Sequence, residues 1–257
     1  MTIQHPRGTV RPTPAVSAST RSGRQALRTA TTLILVGIVA EYVVTEFHPA
    51  HEAPNDHHAV FAEYAASDSW IAVHLGQFAA SMLIIVGILG LFRALRPAGG
   101  STLLTRAGEA AAVLTASILA MLQAVDGVAL KHAVDSLAAA PAALHDAAFH
   151  DAEIVRWMEW SMASYYRIAF GLTAVLIGIA VARSRVVSRW MAAPALLSGV
   201  AFVADGVTVS YHGFVGANLA NLISLASFVL FAVAATVAAW WPAAGRSGGT
   251  GAAADTA

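Results

Sequence analysis

Six long apolar stretches, separated by short polar connections, constrain this chain more than any other feature of its sequence. A helix needs about 20 mostly apolar residues to cross the hydrocarbon core of a bilayer, and each stretch is long enough to do so. The stretches are residues 27–47, 70–92, 107–130, 161–181, 190–211 and 217–241. Charged residues make up only 12% of the chain, about half of the roughly 25% found in soluble domains. The sequence therefore predicts an all-α integral membrane protein whose residues 27–241 form one bundle of six transmembrane helices in a lipid bilayer.

The segments outside and between these stretches have their own patterns. Residues 1–26 are rich in Pro, Ser, Thr and Arg, and residues 242–257 in Gly and Ala, so both are predicted to be disordered cytoplasmic tails. The first stretch contains Glu41 and lacks a clear cleavage site, so we expect a retained helix and not a signal peptide. In the third connection, Pro141 and the helically spaced Leu144, Ala148 and Val155 predict an additional interfacial helix before the fourth span, or one that runs directly into it.

The distribution of basic residues predicts how the bundle is oriented. The N-terminal tail, the second connection and the fourth connection hold Arg7, Arg11, Arg21, Arg24, Arg28, Arg93, Arg96, Arg106, Arg183, Arg185 and Arg189. The first and fifth connections have neither Lys nor Arg, and the third has only Lys131 and Arg156. Basic residues are enriched in cytoplasmic loops, so both termini are predicted to be cytoplasmic. Because the composition is rich in Ala and Arg and poor in Lys, we expect a multi-pass protein of a bacterial cytoplasmic (inner) membrane.

Several function classes lack support in the sequence. The chain has no cysteine, which removes disulfides, thiolate metal sites and cysteine nucleophiles. Its formal net charge is zero and its arginines form only short clusters, so no nucleic-acid partner is expected. Haem is not expected either, because His74 is the only histidine clearly inside a predicted span. No Gly-x-Ser-x-Gly elbow is present, and the sequence identifies no catalytic residue.

Polar residues at similar depth in the predicted helices indicate a site. At about 1.5 Å per residue, the carboxylates lie roughly 6–10 Å inside the outer boundary, and they should face the bundle interior because charge is costly against lipid. The candidate ligand-binding residues are Glu41, His74, Gln77, Asp126, Arg167 and Asp205. Three carboxylates against one arginine leave negative charge that needs a proton, a cation or water. The leading hypothesis is an outward-facing polar cavity that binds or moves a small polar or cationic ligand.

Two alternatives remain open at this stage. Nine of the ten histidines lie on the predicted outer side, and imidazole with carboxylate is a common ligand set for Zn²⁺ when cysteine is absent. A metal-dependent, hydrolase-like membrane enzyme would use a divalent metal cofactor held by His74, Asp126 and His212. The other alternative is an accessory subunit of a membrane complex, in which the polar layer is structural. The sequence does not decide whether the chain is an enzyme, nor its oligomeric state.

Four segments carry a resemblance to a known group of proteins. They are residues 55–57 (Asn-Asp-His), 61–64 (Phe-Ala-Glu-Tyr), 70–77 (Trp-Ile-Ala-Val-His-Leu-Gly-Gln) and 124–131 (Ala-Val-Asp-Gly-Val-Ala-Leu-Lys). With these segments, residues 27–241 resemble uncharacterised six-helix bacterial integral membrane proteins. The resemblance implies the six-helix topology and brings no activity with it.

Overall fold

A computed structural model describes residues 14–49, 51–96, 102–184, 186–214 and 218–241, with side chains from Ser22 onward. All its regular structure in these ranges is helical, and six of its helices are long and apolar enough to cross a membrane. The helices are α1 (Pro14–Thr45), α2 (His57–Ala65), α3 (Trp70–Ala94), α4 (Leu103–Ala124), α5 (Lys131–Ala138), α6 (His145–Arg183), α7 (Ala192–His212) and α8 (Leu219–Trp240). The predicted all-α class with six membrane-spanning candidates is therefore confirmed.

The six long helices contact one another as a closed ring in chain order. Helix α1 packs on α3, α3 on α4, α4 on α6, α6 on α7, α7 on α8, and α8 returns to α1. Glycines bring two of these pairs especially close. A Cβ atom on Gly37 of α1 would lie 2.8 Å from the carbonyl oxygen of Ala80, and one on Gly199 of α7 would lie 2.6 Å from that of Gly171. Small residues at such contacts let helix backbones approach where lipid supplies no hydrophobic drive for association.

The interior of the ring is filled mainly by apolar side chains. Phe170 packs edge-to-face on Phe202 and Phe228, with ring centroids 4.9 Å and 5.0 Å apart. Hydroxyl groups within this region donate hydrogen bonds to nearby backbone oxygens. The Ser198 hydroxyl, for example, donates to the backbone oxygen of Ser224 at 2.9 Å. Such bonds satisfy hydroxyl groups that would otherwise be costly in an apolar interior.

A second hydrophobic core lies at one end of the ring. It joins α2, α5 and the first half of α6, and we call this unit the cap. Its buried apolar residues are Val60, Phe61, Tyr64, Trp70, Leu130, Val134, Leu137 and Ala152. We call the opposite end of the ring, where α1 begins and α8 ends, the terminal face.

Helix α6 belongs to both the ring and the cap. Its 39 residues span about 58 Å at 1.5 Å per residue, well beyond the roughly 30 Å of a hydrocarbon core. The separate interfacial helix is therefore not found among the described residues, and the alternative, a helix running directly into the fourth span, is what the structure has. The helix stays continuous because Ala152 and Val155 pack in the same cap core as α2 and α5, so nothing favours a break there.

Two other boundaries differ from the sequence predictions. Helix α1 begins at Pro14, so residues 14–26 are helical where a disordered tail was predicted. A helix extends readily once a turn is nucleated, and the buried Leu27 and Ala30 anchor the turns that follow. The third span continues beyond residue 130 into α5. Residues 1–13 and 242–257, also predicted to be disordered, lie outside the described residues.

Candidate functional site

A π-helical segment at the junction of the ring and the cap positions the first site residue. The chain is π-helical over Val125–Leu130, and such segments leave a backbone carbonyl without its usual helical partner. The indole N–H of Trp70 donates to the backbone oxygen of Asp126 at 2.9 Å. Gly127 allows α3 to come close, because a Cβ atom there would lie 2.5 Å from Cβ of His74. Together these contacts bring the Asp126 carboxylate to His74.

His74 and Asp126 form a close pair beside the pocket. His74 Nδ1 lies 2.8 Å from the backbone oxygen of Trp70, and because a carbonyl only accepts, Nδ1 carries a hydrogen. His74 Nε2 lies 3.1 Å from Asp126 Oδ2, at ion-pair distance but without hydrogen-bond geometry. Asp126 Oδ1 is buried and has no hydrogen-bond partner among the described residues.

His48 covers this pair from the end of α1. Its ring centroid lies 4.9 Å from that of Trp70, 5.2 Å from that of His74 and 6.1 Å from that of Tyr64. Burial lowers the pKa of His48 and the neighbouring His74 lowers it further, while Asp126 acts in the opposite direction. His48 is therefore neutral at neutral pH and presents an uncharged aromatic ring.

A buried ion pair on α6 lies beside these residues. Arg156 and Glu159 are 2% and 4% exposed, and an Arg156 N–H donates to Glu159 Oε2 at 2.5 Å. Arg156 also donates to the backbone oxygen of Pro54 at 3.2 Å, which ties the first connection to α6. Its guanidinium lies 5.5 Å from the ring centroid of Tyr64 and 5.0 Å from that of Phe214, within cation–π range.

These side chains surround a pocket of about 270 Å³ at the junction of cap and ring, which we call the junction pocket. It is lined by His48, Pro49, Glu52, Pro54, Val60, Glu63, Tyr64, Asp126, Arg156, Glu159 and Phe214. Glu63 accepts hydrogen bonds from His51 through the backbone N–H at 2.9 Å and the ring Nδ1 at 2.7 Å. Although partial burial acts to raise the pKa of Glu63, these bonds lower it overall. The pocket is therefore lined by four carboxyl side chains and one guanidinium that Glu159 already neutralises.

A second polar cluster lies between α6, α7 and the start of α8. Arg167 Nε is 2.9 Å from Asp205 Oδ2, and the Asn218 side-chain amide donates to Asp205 Oδ1 at 2.8 Å. Asp205 is 1% exposed. The Arg167 guanidinium lies 5.4 Å from the ring centroid of Phe214, so the same phenylalanine contacts both arginines.

The structure divides the predicted polar layer into separate pairs. His74 and Asp126 lie together beside the junction pocket, whereas Arg167 and Asp205 form the second cluster. The two remaining candidates bond elsewhere. The Ser81 hydroxyl donates to Glu41 Oε2 at 3.1 Å, and the Gln77 amide donates to the Thr45 hydroxyl at 3.1 Å.

The residues of the metal hypothesis are placed in two regions. His74 and Asp126 are adjacent, but His212 lines a different, open cavity together with His57 and His58. The Asn55 amide donates to the backbone oxygen of His212 at 3.1 Å. Within the part of the chain that the structure describes, no group of three or more His, Asp or Glu side chains is arranged to hold a metal ion.

Sequence reasoning missed most of the pocket wall. The residues not anticipated as site residues are His48, Glu52, Glu63, Tyr64, Arg156 and Glu159. The spacing of Arg156 and Glu159, three residues apart, is a recognisable helical ion-pair signal. This signal alone does not indicate a site. The site depends on two tertiary features, namely that α6 continues into the cap and that the first connection covers the face of α6 that carries Arg156 and Glu159.

Comparisons with protein-family models, with curated proteins and with solved structures find no match to this chain. The resemblance to six-helix bacterial membrane proteins therefore stays a prediction.

Proposed function

We propose that this protein binds a small organic cation in the junction pocket, as a membrane-embedded binding or transport protein. The single observation that carries the proposal is the charge of the pocket wall. Four carboxyl side chains line it, and the one guanidinium, that of Arg156, is already paired with Glu159. A small cation would be attracted to the carboxyl groups other than Glu159. Ionisable residues inside membrane proteins commonly mark substrate and ion pathways.

Asp126 is the residue best placed to contact such a cation. Its Oδ1 atom is buried and has no hydrogen-bond partner among the described residues. A buried acceptor without a partner costs about 1–3 kcal/mol, and an ammonium N–H group would remove that cost. The neutral ring of His48 and the ring of Tyr64 supply the apolar and aromatic wall that favours an organic over a strongly hydrated inorganic cation.

The size of the pocket limits the ligand. Its volume of about 270 Å³ lies just below the roughly 300–1,000 Å³ of typical small-molecule sites. This volume corresponds to roughly nine water molecules at about 30 Å³ each. A compact primary amine such as ethanolamine matches it, whereas a nucleotide or a drug-sized molecule does not.

We further propose that both termini are cytoplasmic and that the cap faces outward from a bacterial cytoplasmic membrane. Arginines on the terminal face support this orientation, among them Arg24, Arg28, Arg93, Arg96, Arg183 and Arg189. The basic residues near the cap are held in local contacts. Lys131, for instance, donates to the backbone oxygen of Ala65 at 3.0 Å and to Asp135 at 2.6 Å. The junction pocket would then open toward the outside.

Isothermal titration of the detergent-purified protein with ethanolamine, choline, Na⁺ and acetate tests the binding proposal. Ethanolamine should bind saturably, choline should bind more weakly because it has no N–H group for Asp126, and acetate should not bind. Asp126→Asn should abolish ethanolamine binding, whereas Asp146→Asn, which neutralises an exposed acid in the cap, should leave it unchanged. Failure of ethanolamine to bind the unaltered protein would contradict the proposal and favour a structural role for the polar groups.

The orientation has a direct test because the natural chain contains no cysteine. A single cysteine is introduced at exposed Asp146 in the cap or at exposed Val186 between α6 and α7. In intact cells, a membrane-impermeant maleimide should label Asp146→Cys and not Val186→Cys. The reverse pattern would invert the proposed topology.

A further inference from the structure

A groove on the terminal face has a composition unlike that of the junction pocket. It encloses about 720 Å³ between α1 and α8. Arg24, Arg28, Thr29 and Thr32 line it from α1, with Leu33 deeper along the same helix and Trp240 opposite. Of the described residues around it, none carries a carboxylate, so the groove is cationic.

The structure holds one of these arginines in a fixed position. Arg28 Nε donates to the backbone oxygen of Ala239 at 3.1 Å, and its guanidinium lies 4.9 Å from the ring centroid of Trp240. Trp240 is itself held by a hydrogen bond from its indole N–H to the Thr32 hydroxyl at 3.1 Å. Among the described residues, the two terminal nitrogens of Arg28 donate to no other group, and the guanidinium lines the groove.

Arg24 adds a second charge on the same face of α1. Residues four positions apart on a helix are neighbours, so Arg24 lies one turn from Arg28, on the side toward the N-terminus of α1. Arg24 is exposed. A guanidinium presents its N–H donors in a planar fork that matches the oxygens of a phosphate group.

The groove is polar at its outer end and apolar further in. Arg24 and Arg28 lie near the start of the membrane-spanning part of α1, Ser22–Thr45, and Leu33 lies more than one turn deeper in it. Trp240 stands at the end of α8, and tryptophan is typical of the headgroup level of a bilayer. An occupant should therefore have an anionic head and a hydrocarbon tail.

We propose that this groove binds the headgroup phosphate of an anionic phospholipid, with Arg24 and Arg28 as phosphate ligands and the first part of the acyl chain along Leu33. The site goes beyond the cation binding proposed above and does not depend on it. Lipid bound there would bridge the first and last helices of the ring, which meet through Arg28 and Ala239.

Native mass spectrometry and thermal-shift titrations of the detergent-purified protein test this site. The probes are a short-chain phosphatidylglycerol, a phosphatidylcholine with the same chains, and inorganic phosphate. Phosphatidylglycerol should bind most tightly and raise the unfolding temperature, phosphatidylcholine should bind more weakly, and inorganic phosphate should have no effect at the same concentration. Equal binding of the two lipids would overturn the anionic specificity, and stabilisation by phosphate alone would overturn the assignment to a lipid.

Matched variants decide whether binding takes place in the groove. Arg24→Gln removes a charge from an exposed side chain and should weaken phosphatidylglycerol binding about fivefold, as expected for one basic residue near anionic lipid. Arg189→Gln removes an exposed charge from the same face but outside the groove and should change little. Equal losses in the two variants, or no loss in Arg24→Gln, would contradict the proposal, whatever the outcome of the amine titrations.

Discussion

Two arginine–carboxylate pairs meet at Phe214, and they are completed in different ways. In the ring, Arg167 contacts Asp205, and Asn218 bonds the other oxygen of that carboxylate. In the cap, Arg156 neutralises Glu159, but the junction pocket beside it is lined by three further carboxyl groups. Both oxygens of Asp205 face side chains of the protein, whereas Asp126 Oδ1, in the wall of the junction pocket, has no hydrogen-bond partner among the described residues. One ion pair is therefore enclosed by protein groups, and the other borders a pocket.

The largest expected effect is on stability, from breaking the cap pair. Arg156→Gln leaves Glu159 buried without its partner, and loss of one member of a buried pair costs about 3–5 kcal/mol. The thermal unfolding midpoint in detergent should fall steeply. The double variant Arg156→Met/Glu159→Leu should recover much of the loss because it removes both charges. A single variant as stable as the unaltered protein would show that Glu159 is not held charged by Arg156.

Breaking the ring pair should cost less and should leave ligand binding intact. In Arg167→Gln, Asp205 keeps its hydrogen bond from Asn218, and the Arg167 side chain is 22% exposed, so we expect a loss below the roughly 3–5 kcal/mol of a fully buried pair. Titration with ethanolamine should give an unchanged affinity. Loss of amine binding in this variant would mean that the two regions act as one site.

A glycine substitution tests the geometry of the pocket wall. Gly127→Ala places a methyl group against His74, where its Cβ would lie 2.5 Å from that of the histidine. We expect a loss of about 1–3 kcal/mol from overpacking and weaker amine binding, because His74 moves relative to Asp126. Gly23→Ala is the matched control, since a Cβ atom there meets nothing within 4 Å. It should be neutral or stabilise by about 0.5–1 kcal/mol. Equal effects of the two variants would contradict the close packing at Gly127.

The smallest expected effect is a loss of stability in acid that arises at the junction pocket. The pKa of His48, which faces His74, Asp126 and Arg156, is lowered from 6.5 in the folded protein. The unfolded chain therefore binds more protons, and stability falls as the pH drops below about 6.5. Glu63 has a pKa lowered from 4.5, so the stability it contributes is present above that pH and is lost as the pH falls through its folded value.

Thermal unfolding between pH 8 and pH 4 measures this dependence. His48→Phe should flatten the profile just below about pH 6.5, while His132→Gln, at an exposed position on α5, should leave it unchanged. An unaltered slope in His48→Phe would mean that the acid sensitivity arises elsewhere in the protein.

The cap is where sequence reasoning was least complete. Helical periodicity found α6 from about Pro141, but it left open whether that helix lies on the membrane or enters it. The decision rests on α2, a helix that was not anticipated and whose Val60 and Phe61 pack in the same core as Ala152 of α6. Periodicity reports which face of a helix is apolar but not what covers that face.

The sequence by itself determined the helical class and the six membrane-spanning candidates, because the length and hydropathy of a span follow from local composition. It also identified Asp126 and His74, since a carboxylate or an imidazole in an apolar span is costly and therefore conspicuous. Only the tertiary structure decided that these two residues pair, that Arg167 belongs with Asp205, and that His48, Arg156 and Glu159 complete a pocket. The physical reason is that a pocket depends on contacts between distant segments, and the π-helical turn at Asp126 and the close approach at Gly127 set those contacts without any local signal.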